Sequence, residues 1–207
     1  MICGVDEAGR GALIGPLVIA FVCFEKKDLD EISKVVTKDS KQLSPSQRKT
    51  LFKEIEAKAK HIEIQKILPS RIDKENLNDI ENETIENFVS KVKPDHMFVD
   101  LFERDDARMV NRLREKGAKR VTAEHKADEN YCVVACASII AKVTRDEEIE
   151  KLAKEFGFFG SGYPSDERTI EFVKANYDRI EPYVRKKWST LAHLGLAKDK
   201  KIKQTKL

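Results

Sequence analysis

Asp6, Glu7, Asp100, Glu124 and Asp128 are the residues of this chain best placed to do chemistry. The first four close apolar runs that read as strands, and Asp128 precedes an apolar helix. Acids are depleted in strands, and burying an unpaired carboxylate costs roughly several kcal/mol, so groups in such places need a cation or a hydrogen-bond partner. Gathered at neighbouring strand ends they would repel one another and raise each other's pKa unless divalent cations sat among them, and an all-oxygen ligand set suits Mg²⁺ or Mn²⁺. The alternative is a set of helix caps and surface acids, since the chain has 36 Asp and Glu in all. Asp6 and Glu7 run straight into Gly9-Arg10-Gly11. Strand side chains alternate faces, so these two acids can point one way only if the chain leaves strand geometry there, which the glycines make easy.

The elements that must position these groups follow from periodicity. Residues 2 to 6 and 15 to 24 are apolar, β-branched runs divided by a glycine-rich turn, which predicts two paired strands. Ser44-Pro45-Ser46-Gln47 combines an N-cap serine, a first-turn proline and a glutamine three residues on, predicting a helix to about Lys60 with Leu51, Ile55 and Ala59 inward. Residues 62 to 67 alternate as a half-buried strand. Leu77, Ile80, Thr84, Phe88 and Val92 mark a helix that stops before Pro94. Met97–Asp100 and Arg120–Glu124 read as strands on either side of a helix around Met109 and Leu113 that closes at Gly117. From about Tyr131 to Phe156 the chain is helical, and residues 133 to 141 are apolar on almost every side, as in a core helix. A turn-rich loop at 160 to 166 leads to amphipathic helices around Phe172 and Leu191. Alternating strands and helices predict an α/β fold whose early hairpin makes the sheet mixed, with a helical C-terminal extension.

With 207 residues the chain suits one domain with a single sizeable core. Charged residues make up 36% yet nearly cancel, to +3, so net charge neither requires nor excludes a nucleic-acid partner. The local exception is 185 to 207, where Arg185, Lys186, Lys187, Lys198, Lys200, Lys201, Lys203 and Lys206 face Asp199 alone. That run fits either a polyanion-binding segment or a frayed, solvated tail. No stretch is long and apolar enough for a membrane span and none resembles a secretion leader, so no membrane partner and a cytoplasmic location are expected. Cys3, Cys23, Cys132 and Cys136 lie inside apolar runs and are expected to be reduced core thiols, without the histidine neighbours a zinc site would use.

Several blocks, in this order, closely resemble type 2 ribonuclease H, the ribonuclease HII family. They are Asp6-Glu7-Ala8-Gly9-Arg10-Gly11 with Gly15-Pro16, Asp39-Ser40-Lys41-Gln42-Leu43-Ser44, Val99-Asp100, His125-Lys126-Ala127-Asp128, the run 137 to 143, and Gly160-Ser161-Gly162-Tyr163-Pro164-Ser165-Asp166. The resemblance implies a ribonuclease H-like catalytic part over 1 to 160, and a helical substrate-binding segment with its basic tail over 161 to 207, integral to one domain. It implies that Asp6, Glu7, Asp100 and Asp128 are the metal-binding carboxylates, leaving Glu124 a structural acid. It further implies that Gly9, Arg10 and Gly11 sense the ribonucleotide 2′-hydroxyl, the group that distinguishes RNA from DNA. Tyr163 would pack against the sugar at an RNA–DNA junction. Ser40, Lys41, Lys126, Lys142 and Arg145 would meet phosphates, with solvated surface cations as the alternative. His61, His96, His125 and His193 are given no catalytic part.

The implied activity is two-metal hydrolysis of a phosphodiester with Mg²⁺ or Mn²⁺, without a side-chain nucleophile, cutting 5′ to a ribonucleotide and leaving a 3′-hydroxyl. The implied substrates are RNA/DNA hybrids and duplex DNA carrying embedded ribonucleotides, with the enzyme acting as a monomer. Lys203-Gln204-Thr205-Lys206-Leu207 lacks the paired aromatics with which many archaeal relatives bind the sliding clamp, which argues against that partner. Cys132 and Cys136 replace the proline and alanine common in the family, and Leu101-Phe102 is bulkier than its pattern. Two rivals stand beside this reading: a ribonuclease H-like nuclease confined to hybrids, and a hybrid-binding module that does not cut.

Overall fold

In a computed structural model, residues 1–36, 43–100 and 106–196 are described. The Ser40 and Lys41 positions and the basic stretch beyond Leu196 lie outside them. In chain order the elements begin with β1 (Ile2–Ala8), β2 (Leu17–Phe24), α1 (Lys26–Ile32), α2 (Pro45–Lys58), β3 (His61–Ile67), α3 (Pro69–Ile72) and α4 (Leu77–Val92). They continue with β4 (His96–Asp100), α5 (Asp106–Glu115), β5 (Val121–Glu124), α6 (Ala127–Asn130), α7 (Cys132–Phe156), α8 (Glu167–Ile180), a 3₁₀ turn (Glu181–Tyr183) and α9 (Ser189–His193). The five strands form one sheet in the order β3-β2-β1-β4-β5. The β1–β2 and β2–β3 pairs are antiparallel, whereas the β1–β4 and β4–β5 pairs are parallel, so the sheet is mixed as expected.

Strand alternation divides the core into two layers. Val5 on β1, Leu17, Ile19 and Phe21 on β2 and Met97 and Val99 on β4 face one way, against Ile85, Phe88 and Val89 of α4 and Met109 and Leu113 of α5. Val18, Ala20 and Val22 face the other way, onto the apolar first half of α7. Gly4 allows this approach, because a Cβ there would stand 2.6 Å from the Val133 carbonyl oxygen. α7 is buried from Val133 to Ala141, which explains why its sequence lacks a polar face. A third cluster joins Leu13 and Ile14 to Ile149 and Leu152 of α7, Val173 and Ile180 of α8, Val184 and Leu191. The C-terminal helices therefore pack on the segment that follows β1.

The α2 start forms as its residues predict: Ser44 Oγ accepts from the Gln47 N–H, and Gln47 Oε1 accepts from the Ser44 N–H. Of its predicted stripe only Ile55 is fully buried, because α2 lies on the rim of the α7 layer and Leu51 and Ala59 are partly covered. α1, α3 and α6 had no periodic signal: α1 fully buries only Ile32, and the other two span four residues each.

The expectation for the cysteines is corrected in part. Cys3 and Cys23 are cross-strand partners in the β1–β2 register and are joined as a disulfide with Cα atoms 4.1 Å apart, while Cys132 and Cys136 are free. Apolar runs reveal burial but not register, and register places these two sulfurs opposite each other. A cross-link closing a loop of this size is worth about 3 kcal/mol, and each kcal/mol moves the midpoint of a chain this long by about 2–4 °C. Protein refolded in reductant is expected to melt about 6–12 °C below the oxidised form in a thermal scan. Equal midpoints would contradict a stabilising bond.

Candidate active site

The parallel direction of β1, β4 and β5 puts their carboxyl ends on one edge of the sheet, the edge where open α/β sheets bind ligands. Asp6 and Glu7 lie near the end of β1 and Asp100 closes β4. Asp128 sits in α6, just beyond the end of β5, and is buried. Pairing of β1 with β4 runs only to Val5↔Val99, so Asp6, Glu7 and Asp100 stand where the two strands part. β1 stays a regular strand to Ala8, paired Asp6↔Ala20 and Glu7↔Ile19 with β2, so of the two geometries left open it is the regular strand that is observed. Alternation sends the two side chains to opposite faces: Asp6 accepts from Ser138 of α7, and Glu7 lines a pocket with Glu81 and Ile85 of α4. This pocket of about 10 Å³, lined by Val5, Asp6, Glu7, Ile19, Glu81, Ile85 and Asp100, has room for about one water molecule.

Electrostatics bind these acids into one site. Burial, then repulsion from Glu7, holds the Asp6 carboxyl well above its ordinary value, against hydrogen bonds from Ser138 and the Glu7 N–H and with a further push from Asp100. Burial also raises Glu7; Arg10 opposes the rise, while Asp100 and Asp128 add to it. Ser138 lies on α7, fully buried, and its Oγ accepts from the Lys142 ammonium at 2.7 Å. Asp100 Oδ1 accepts from the Ala127 N–H at 3.2 Å, which fastens the end of β4 to the helix carrying Asp128. Among the described residues, no three His, Cys, Asp or Glu side chains close on a common point as metal ligands. The donor set nevertheless fits a hard divalent cation, because it offers only oxygens and its anionic forms are disfavoured by burial and by one another.

The glycine turn beside the acids has two unlike glycines. Gly9 has φ +89°, and a Cβ there would lie 2.6 Å from Arg145 Nε and 2.9 Å from the Pro16 carbonyl oxygen, so the fold itself requires glycine. At Gly11, which is exposed, a Cβ would meet nothing within 4 Å. The fold makes no demand for glycine at 11. Between them, the Arg10 guanidinium pairs with Glu81 and also donates to Asn78 Oδ1, both on α4. The Arg10 guanidinium is thus turned toward α4, and its charge also acts on Glu7.

Tyr163 is half-buried, with the Arg145 guanidinium 4.3 Å from its ring centroid. Its loop is joined to the first one, since the Gly162 carbonyl accepts from the N–H groups of Leu13 and Ile14. Arg145, expected among cations facing phosphate, is instead buried: its Nη2 donates to the Ser161 carbonyl and it wedges between Gly9 and Tyr163. Helical periodicity places it on the packed side of α7, where a charge count cannot distinguish it from a surface residue. Lys142 is half-buried on Ser138, and Lys126 is exposed with φ 60° just before α6. Glu124 accepts from the Tyr131 hydroxyl, in keeping with a structural role.

Two residues of this region escaped the sequence reading. Glu81, buried at 1% exposure, lines the pocket with Glu7 and Asp100 and holds Arg10. A signal was present: Glu81 falls on the α4 stripe of Leu77, Ile85 and Phe88, an acid where the helical period calls for an apolar residue. Arg185, counted above with the basic tail, is fully buried.

A sequence profile described as ribonuclease HII matches residues 3–191. The chain belongs to the ribonuclease HII family. The ribonuclease HII of Pyrococcus abyssi is 41% identical over 218 aligned positions, covering 100% of this chain and 94% of the relative. The crystal structure of the ribonuclease H2 from Pyrococcus horikoshii OT3 superposes with a TM-score of 0.86 at 40% identity, covering 93% of this chain and 96% of that one. The ribonuclease HII of Archaeoglobus fulgidus, solved in complex with PCNA, gives a TM-score of 0.85 at 42% identity, covering 94% and 96%. The expected ribonuclease H-like α/β fold is thus the observed one. By family the chain is a metal-dependent endoribonuclease acting on RNA/DNA hybrids. No described helix is long and apolar enough to cross a membrane.

Proposed function

We propose that this ribonuclease HII cuts on the 5′ side of a ribonucleotide, both in RNA/DNA hybrids and at single ribonucleotides embedded in duplex DNA, and leaves a 3′-hydroxyl. The observation that carries the proposal is the convergence of Asp6, Glu7, Asp100 and Asp128 at one sheet edge beside a glycine, Gly11, whose open side the fold does not need. Two Mg²⁺ or Mn²⁺ ions held by these carboxylates would supply an activated water and offset the charge on the departing 3′ oxygen. The chain's own part is to hold the acids in one place and to present the scissile linkage in line. Ser138 fixes the Asp6 carboxylate, and the Ala127 N–H fixes that of Asp100. The backbone of Gly9 to Gly11 reads the 2′-hydroxyl, with Gly11 leaving room for the sugar to approach. Tyr163 packs on the sugar, and Lys126 is the exposed cation placed to meet a phosphate. Clamp binding is not part of the proposal.

Three duplexes of one sequence test it: an RNA/DNA hybrid, a DNA duplex with one ribonucleotide, and all-DNA. With Mg²⁺ or Mn²⁺ the first two should be cut and the third left whole, and chelator should stop cutting. Cleavage of the hybrid alone would favour the hybrid-only nuclease, and tight binding without cleavage the binding module. Tyr163→Ala should lower kcat/KM on the single-ribonucleotide duplex by about 10- to 100-fold, from the roughly 1–3 kcal/mol that an aromatic contact to a nucleotide contributes. The hybrid should suffer less, and an equal loss on both substrates would reduce Tyr163 to an anchor for its own loop.

A further inference from the structure

We propose that Arg185 is a positioning residue for ribonucleotide recognition: its buried guanidinium holds the backbone of the loop from Arg10 to Gly15 in the shape that receives the sugar. The proposal rests on the reading of Gly9 to Gly11 as the ribonucleotide-sensing turn.

Arg185 Nη1 donates to the Arg10 carbonyl at 2.8 Å, and Nε donates to the Gly15 carbonyl at 3.2 Å. One rigid, planar group thus grips both ends of the loop that leaves β1, a geometry a lysine ammonium cannot copy. The backbone reinforces the grip. The Arg185 N–H donates to the Leu13 carbonyl, the Gly15 N–H donates to the Tyr183 carbonyl, and Ile14 and Val184 form an antiparallel bridge. The C-terminal segment around Val184 therefore lies antiparallel along the loop.

Stability alone does not account for an arginine here. Arg185 is 0% exposed, and among the described residues no carboxylate pairs with it directly; its guanidinium lies 5.0 Å from the Trp188 ring centroid. A buried cation is costly: Asp73 and Tyr163 offset only part of its charge, and among the described residues its Nη2 has no hydrogen-bond partner. Burial, and then a second buried guanidinium, Arg145, push the Arg185 pKa down to about 10. An apolar side chain would fill the space at lower cost but would leave the Arg10 and Gly15 carbonyls without this donor. Arg10 O belongs to the residue between the two glycines, so what Arg185 fixes is the turn itself.

The test uses Arg185→Lys, which keeps the charge and loses the fork. KM for the single-ribonucleotide duplex should rise about tenfold, the worth of about one misplaced hydrogen bond, while the inhibition constant of an all-DNA duplex stays within about twofold. Hydrogen exchange at the amides of residues 11 to 14 should accelerate at least about tenfold, with β1 and β2 protection unchanged. An unchanged KM with unchanged exchange would overturn the proposal, as would an equal weakening toward both duplexes. If the lysine form does not fold, Arg185→Gln, uncharged and cheaper to bury, carries the same measurements and should show the same KM rise. Should the wild-type enzyme itself fail to distinguish the two duplexes, the reading of the turn falls, while the exchange rates still decide whether Arg185 holds the loop.

Discussion

Asp6→Asn is expected to lower cleavage of a ribonucleotide-containing duplex by at least about 10²-fold, since removing even one preorganised hydrogen-bond donor from an active site costs roughly 10²–10³. In chelator the same variant should be more stable than the wild type at pH 7. The sign follows from the direction of the Asp6 shift. Burial and Glu7 raise the carboxyl in the folded chain above its ordinary value of 3.8, so the folded state binds the proton more tightly than the unfolded one. Below pH 3.8 the group is protonated in both states. As pH rises from there through the raised folded value, the wild type loses stability that the asparagine variant keeps. Melting curves at several pH values in chelator measure this directly. An activity within tenfold of wild type, or a variant no more stable at pH 7, would contradict the placement of Asp6 in a crowded acidic site.

Gly9→Ala and Gly11→Ala should separate architecture from recognition. At Gly9 a methyl group meets Arg145 and the Pro16 carbonyl at a φ of +89°, so alanine should cost about 1–3 kcal/mol and lower the melting midpoint by several degrees. At Gly11 the methyl group meets no protein atom, so the midpoint should stay within about a degree. If that open side receives the sugar, kcat/KM on the single-ribonucleotide duplex should nonetheless fall at least about tenfold, because a methyl group in the path of a hydroxyl leaves its hydrogen bond unmade. Full activity in Gly11→Ala would show that the turn presents another side to substrate.

Much of this architecture is legible in the residues because local rules and tertiary context agree. Ser44-Pro45-Ser46-Gln47 starts α2 with both bonds of its capping box, and the apolar run 133 to 141 marks the helix on which the sheet rests. The acids at strand ends are legible too, since a carboxylate after an apolar run is out of place until a partner is found for it. What local rules cannot supply is register and long-range partnership. The Cys3–Cys23 bond depends on which β1 residue faces which β2 residue. The burial of Arg145 and Arg185 depends on loops from three parts of the chain closing over them, and in sequence each is one more cation among 39. Asp6 and Glu7 reach one site from opposite faces because β1 and β4 part after Val5 and Val99, which alternation alone does not reveal.

The most direct test of the proposed activity moves the ribonucleotide. In a set of DNA duplexes identical except that a single ribonucleotide is shifted by one position at a time, product ends are mapped after incubation with Mg²⁺ or Mn²⁺. One cut that follows the ribonucleotide step by step, always on its 5′ side and always leaving a 3′-hydroxyl, is the expected result. A cut that stays in place as the ribonucleotide moves, or that falls on its 3′ side, would contradict recognition by Gly9 to Gly11 coupled to hydrolysis at the carboxylates.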